Sequence, residues 1–259
     1  MIPNKAIFFE GCTMSRRMVG LRFATRFLLD KYGIEWEVLP NIGCCGAPVM
    51  RSGDYELGIK QRDKVFKATL RAGHDTIITA CPGCGSMLKE AGEKEGIEVL
   101  HIDELLEALA KEGKLYRPGE MRDFNMTATA HFPCHMNRGM KIDCDELFPA
   151  VLSAFPNMKY VRMEGAEKCC GAGGGVRASQ VDLAYKIAEK KVKNAVDSNA
   201  DVLIATCPFC ELHLNDSQKK FGANLAVVAL PMFVALSFYD FEDAVKELGA
   251  VETIEEEVQ

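Results

Sequence analysis

Thr76-Ile77-Ile78-Thr79-Ala80-Cys81-Pro82-Gly83-Cys84 sets a short apolar run directly against a Cys-x-x-Cys motif. The run has the length and the β-branched content of a buried strand. The pairing recurs 126 residues later, where a strand expected over 201–206 runs into Cys207-Pro208-Phe209-Cys210. Working outward, Cys44-Cys45-Gly46-Ala47 matches Cys169-Cys170-Gly171-Ala172 at an offset of 125. The stretch from Lys5 to Cys12 resembles that from Thr127 to Cys134 at an offset of 122. Gly96 to Ile102 aligns with Gly222 to Val228, again at 126. Offsets that drift by so little across a whole half mark two copies of one fold.

In the first copy, Ala6 to Phe9 reads as a buried strand, and Met18, Leu21, Ala24 and Leu28 recur at helical spacing before Gly33. Trp36 to Leu39 is a second strand, closed by Pro40 and the turn Gly43-Cys44-Cys45-Gly46. A helix is expected over Leu57–Leu70, strands at Thr76–Ala80 and Val99–Ile102, and a helix over Asp103–Lys111. The second copy repeats the order, with strands near 127–132, 158–163, 201–206 and 225–229. Alternating strands and helices predict an α/β fold of two pseudo-repeated Rossmann-like halves, each a short parallel sheet flanked by helices. The expected boundaries are 1–115 for the first domain and 126–245 for the second, with a linker near Gly113–Asn125 containing Pro118 and Gly119. An acidic tail over 246–259 ends in Glu255-Glu256-Glu257-Val258-Gln259.

The 259 residues are 48% hydrophobic and 26% charged, the composition of a soluble globular protein. A formal net charge of −6 argues against a nucleic-acid-binding surface. The most apolar stretch, Leu225–Phe238, is interrupted by Pro231 and too short to cross a bilayer, so direct membrane insertion is not expected. Met1–Lys5 lead into a strand without the long apolar core of a signal peptide, which points to a cytoplasmic protein. Eleven cysteines are then the anomaly. Their odd number and the size of the chain argue against a disulfide framework, and reduced thiols at this density more often bind metal.

Each repeated cysteine follows a predicted strand, mostly at a helix start, so five thiols per half gather at one sheet edge. Helix N-termini favour thiolate, the form that ligates metal. Zinc prefers four N or S ligands and fits five thiols poorly, although one half could hold it. Dithiol redox chemistry at Cys81-Pro82-Gly83-Cys84 would leave three cysteines per half without a role. Iron–sulfur ligation uses all of them.

Two copies of Cys…Cys-Cys-Gly…Cys-x-x-Cys over about residues 5–240 resemble the cysteine-rich "CCG" domain family, best known from a subunit of heterodisulfide reductase. The resemblance implies two non-cubane 4Fe–4S clusters. By motif position their ligands would be Cys12, Cys44, Cys45, Cys81 and Cys84 in one half, and Cys134, Cys169, Cys170, Cys207 and Cys210 in the other. It implies a catalytic subunit that reduces or forms a disulfide of small thiols, such as the coenzyme M–coenzyme B heterodisulfide of methanogenesis. The alternative is a non-catalytic electron-transfer subunit of a flavin-dependent glycolate, lactate or glycerol-3-phosphate dehydrogenase complex. The ferredoxin run Cys-x-x-Cys-x-x-Cys-x-x-x-Cys-Pro of fused relatives does not occur in the sequence, so the implied partners are a ferredoxin-like iron–sulfur subunit and a flavoprotein subunit.

Cys144 has no counterpart in the first half and falls in a helix expected over Asp143–Phe155, where it reads as a buried thiol. Gly46, Gly171, Gly173 and Gly174 are read as letting the backbone approach a bulky bound group, since the glycine run matches neither a dinucleotide fingerprint nor a P-loop. His135 and His213 flank motif cysteines and read as surface or hydrogen-bonding residues. Arg16, Arg17, Arg51, Arg138 and Arg177 lie near motif cysteines, where they could offset cluster charge or bind an anionic substrate.

Overall fold

A computed structural model describes residues 2–247. The tail expected over 246–259 lies, from residue 248 on, outside the described residues. The first half runs β1 (Lys5–Phe8), α1 (Gly11–Arg17), α2 (Val19–Lys31), β2 (Glu35–Glu37), α3 (Ala47–Arg51), α4 (Tyr55–Arg71), β3 (Thr76–Thr79), α5 (Pro82–Lys94), β4 (Glu98–His101) and α6 (Ile102–Lys111). The second begins with β5 (Met126–Ala130), a π-helical turn over His135–Gly139, α7 (Cys144–Leu152), β6 (Met158–Tyr160) and α8 (Val176–Ser179). It continues with α9 (Val181–Asp197), β7 (Val202–Ile204), α10 (Pro208–Lys220), β8 (Ala226–Val228), α11 (Leu230–Ser237) and α12 (Phe241–Glu247).

Each half is a four-stranded, wholly parallel sheet, ordered β2-β1-β3-β4 and β6-β5-β7-β8. Parallel neighbours require crossovers, and the helices between strands supply them. They also cover the sheets, which is why β3 is buried at every position. The halves correspond in register: the Phe9 N–H donates to the Ile78 carbonyl as the His131 N–H donates to that of Ile204, both at 2.8 Å. In this strand order the chain leaves β1 and β3 in opposite directions, opening a crevice at their carboxyl ends. Cys12 follows β1 and Cys81 follows β3; Cys134 and Cys207 follow β5 and β7 in the same way.

The halves share one core. α2 packs on α11, and α6 on α7, an exchange related by a pseudo-two-fold axis. Leu21, Leu28, Leu106, Phe148 and Val234 all belong to one continuous buried cluster. Phe27 meets Phe238 edge-on with centroids 5.4 Å apart, tying α2 to the end of α11. Nearer the cysteines, α5 packs on the π-helical turn and α1 touches α10. That approach is close: a Cβ at Gly139 would stand 2.7 Å from Ser86 Cβ, and one at Gly85 2.3 Å from Met140 Sδ.

The differences from the sequence expectation lie at element ends. β4 stops at His101 because its Nδ1 accepts the Asp103 N–H while Glu104 accepts the His101 N–H, a capping box that starts α6 at Ile102. The second strand covers Glu35–Glu37, so Val38 and Leu39 leave the sheet ahead of Pro40. β6 likewise ends at Tyr160. The helix expected after Cys12 is interrupted at Met18, which leaves helical geometry between α1 and α2. The Leu225–Phe238 run forms β8 and the buried helix α11, as its place in the repeat predicts.

Two stability measurements follow. Gly46 has φ +86°, and a Cβ there would lie 2.1 Å from the Gly58 carbonyl oxygen, whereas one at Gly43, φ +88°, meets nothing within 4 Å. In denaturant melts Gly46→Ala is expected to cost about 2–4 kcal/mol, strain plus overlap, and Gly43→Ala about 1 kcal/mol. Cys144 is buried in the shared core at the start of α7. Cys144→Ala should lower stability by about 1 kcal/mol and leave metal content unchanged by elemental analysis.

Candidate metal centres

All eleven cysteines are free thiols. In the first half, Cys12 lies in the first turn of α1, Cys44 and Cys45 lie on the loop into α3, Cys81 caps α5 and Cys84 lies in its first turn. Pro82 and Pro208 open α5 and α10, where a missing N–H costs no hydrogen bond. The thiols touch in sequence: Cys12 meets Cys44, Cys44 meets Cys45, Cys45 meets Cys84 and Cys84 meets Cys81. In the second half Cys169 meets Cys170, the sulfurs of Cys170 and Cys210 are 3.1 Å apart, and Cys210 meets Cys207. Cys134 lies beside them, within electrostatic reach of Cys207 and Cys170. The five sequence-predicted cysteines of each half are thus brought together, while Cys144 is not among them.

Crowding the thiols forces them to share protons. Hydrogen bonds from Cys44 and then Cys84 pull Cys45 down to about 4 against the penalty of burial. Cys170 is held well below the usual thiol range by Cys169 and then Cys210. Cys84 and Cys210 are pushed up: their hydrogen bonds with Cys45 and Cys170 hold the proton on them. Cys81 is drawn down to about 7, chiefly by its hydrogen bond with Cys84. Each set therefore holds a buried thiolate among thiols that lose their protons once a cation arrives. By contrast, burial pushes Cys144 up to about 12, as befits an inert core thiol.

The glycines of the two motifs serve backbone geometry. The Gly46 N–H points to Cys44 Sγ at 3.4 Å, and that of Gly171 to Cys169 Sγ at 3.3 Å. Both have positive φ and pass against the next long helix: a Cβ on Gly171 would lie 2.6 Å from the Ala184 carbonyl oxygen. Above Gly173 and Gly174 there is open space.

Arg16 and Arg17 end α1, and Arg138 lies in the last turn of the π-helix; all three are exposed. Arg51, at the end of α3, reaches across the seam to His135 Nε2 at 2.5 Å, and His135 Nδ1 lies 3.4 Å from Cys134 Sγ. Arg177 pairs with Asp216. His213 is buried, with Nε2 3.2 Å from the Ala184 carbonyl oxygen, so of the two sequence expectations the hydrogen-bonding one describes it.

Several buried polar residues escaped the sequence reading, His131, Lys191 and Asp103 among them. Burial holds the His131 imidazole below its ordinary value; one ring nitrogen and the sulfurs of Cys170 and Cys210 all lie within 4.8 Å of one another. Lys191 donates from Nζ to the carbonyls of Gly165 and Ala166 at 2.5 and 3.0 Å, and burial lowers its ammonium to about 8. Asp103 accepts the hydroxyl of Thr206 at 2.6 Å, linking α6 of the first half to the residue before Cys207. For His131 and Lys191 the available signal was the repeat itself, since both occupy positions that are apolar in the first copy.

Comparison with known proteins places this architecture. The family model described as "Cysteine-rich domain" (CCG) matches residues 6–89 and again 128–215. A subunit of the dihydromethanophenazine:CoB–CoM heterodisulfide reductase of Methanosarcina acetivorans is 36% identical over 248 residues, covering 90% of this chain and 59% of its own length. A subunit of the fumarate reductase (CoM/CoB) of Methanothermobacter marburgensis is 35% identical over 219 residues, covering 83% of this chain and 42% of its own. The chain thus spans about two-fifths to three-fifths of these relatives. A subunit of the ferredoxin/F420H2-dependent CoB–CoM heterodisulfide reductase of Methanosarcina acetivorans is 28% identical over 298 residues, covering 97% of this chain and 95% of its own. A hypothetical protein from Helicobacter pylori shares the fold, with a TM-score of 0.58 at 13% identity over 95% of this chain and 51% of that one. With both halves matched at their cysteine motifs, the chain belongs to the cysteine-rich CCG domain family.

Proposed function

We propose that this chain is an iron–sulfur subunit that makes or breaks a disulfide between two small thiols within a larger complex. The observation that carries the reading is the pair of like-built five-thiol sets at the carboxyl edges of two sheets whose site-bearing helices pack together. Five sulfur donors per half exceed the four of a tetrahedral zinc site and suit the soft demand of iron–sulfur ligation. Cys12, Cys44, Cys45, Cys81 and Cys84 would hold one 4Fe–4S cluster, and Cys134, Cys169, Cys170, Cys207 and Cys210 the other, both non-cubane. When bound, such clusters supply electrons one at a time and iron with affinity for sulfur.

Disulfide reduction takes two electrons and two protons, RS–SR′ + 2e⁻ + 2H⁺ → RSH + R′SH. Two sites meeting at a pseudo-two-fold seam match the two sulfurs of such a substrate. The seam is lined by α5 and the π-helical turn on one side and by α1 and α10 on the other. Arg16, Arg17 and Arg138 lie on those same elements and carry positive charge that would orient an anionic thiol. The CoB–CoM pair in the relatives' names supports a thiol pair as substrate. Electrons would come from a ferredoxin-like iron–sulfur subunit and a flavoprotein, a reading supported by the ferredoxin in one relative's name.

The test is a turnover assay on anaerobically purified protein, with reduced viologen as donor and the coenzyme M–coenzyme B heterodisulfide as substrate. The expected result is two thiols released and two viologen radicals consumed per disulfide, falling at least about 100-fold in Cys45→Ser or Cys170→Ser. Electron transfer from viologen to a dye acceptor without thiol release would make the chain a relay and overturn the proposal.

A further inference from the structure

The two sites are built alike but lined differently. Ladder hydrogen bonds place His131 where the first half has Phe9, since their N–H groups donate to the equivalent carbonyls of Ile204 and Ile78. On the long helices the buried positions Gly58, Val65, Phe66 and Thr69 of α4 correspond to Ala184, Lys191, Val192 and Ala195 of α9, each 126 residues on. Lys191 therefore stands in the place of Val65. In the first half Phe9 and Val65 share a buried apolar cluster with Cys45 and Cys84. In the second, His131 lies against Cys170 and Cys210, the equivalents of those two cysteines. His131 thus falls beside that pair of thiols, and the Lys191 charge reaches the same pair electrostatically.

Neither is idle. His131 is 1% exposed, and although its ring acts on Cys170, neither ring nitrogen makes a well-formed hydrogen bond, an arrangement costly to bury unless something accepts from it. Lys191 is 3% exposed and anchored to two carbonyls, and its charge acts on Cys170, Cys210 and Cys169. An N–H donor and a cation beside cluster sulfurs stabilise the extra negative charge that reduction brings, and so raise the potential. A phenyl ring and an isopropyl group give no such help; the first half's buried histidine, His101, acts on a different cysteine, Cys81, and sits beside the Asp103 carboxylate, 3.5 Å from its Nδ1.

We propose that His131 and Lys191 make the second site the easier of the two to reduce, so that the two sites act in order and not as equals. His131 and Lys191 are positioning residues here: they act on the sulfurs of Cys170 and Cys210. The inference rests on the reading that each half carries a cluster.

Redox titration of the anaerobic protein, followed by electron paramagnetic resonance, tests it. The wild-type chain is expected to show two midpoints separated by at least a tenfold change in the one-electron equilibrium, about 59 mV. His131→Phe with Lys191→Val installs the first half's residues and should lower the higher midpoint toward the other, leaving the lower in place and iron per chain unchanged. Lys191→Met alone keeps the chain length of lysine, guards against misfolding in the double variant, and should shift the same midpoint in the same direction. A common midpoint in the wild type, a shift of the lower midpoint, or no shift in Lys191→Met overturns the inference and leaves the cluster reading standing. Loss of half the iron in His131→Phe would make His131 a ligand and overturn it too. Protein free of labile sulfide overturns the cluster reading itself, and this inference with it.

Discussion

Five thiols gathered at the carboxyl edge of a small sheet make an unfavourable arrangement for a protein alone. Desolvation and like-charge repulsion together limit how many can ionise, and the protons are shared so that Cys45 in one half and Cys170 in the other carry the negative charge. A bound polycation relieves the strain on such a set by turning the neighbouring thiols into ligands. Much of the remaining architecture serves to hold that arrangement in place.

The crossover helices cover both faces of each sheet, and the shared core binds the halves through α2 with α11 and α6 with α7. The site edges are thereby fixed relative to one another instead of swinging on a linker. The buried Thr206–Asp103 hydrogen bond adds a polar tie between the halves, immediately before Cys207. Small residues at the contact of α5 with the π-helical turn let the helices carrying Cys84 and Cys134 approach closely. Duplication has supplied symmetry, and divergence at Phe9/His131 and Val65/Lys191 has broken it where the electrostatics of the two sites are set.

The sequence carried the fold well because its signals were redundant. The apolar run before Cys81 reads as a strand, and its recurrence 126 residues on makes a chance pattern implausible. Convergence of the motif cysteines followed from strand-end placement alone. Element ends were less legible. The start of α6 depends on the His101 and Glu104 side chains folding back on the backbone, and the break at Met18 carries no proline or glycine to announce it. His131 was hidden inside the strand expected near 127–132, a run too short for one polar residue to stand out, and Lys191 because a single lysine on a long charged helix reads as a solvated side chain. Only position-by-position comparison of the two copies exposes them.

The central claim is that these thiol sets exist to hold iron and sulfide. Metal and acid-labile sulfide analysis of anaerobically purified protein tests it most directly. About eight iron and eight sulfide per chain are expected for two 4Fe–4S clusters; zinc without sulfide would contradict the account.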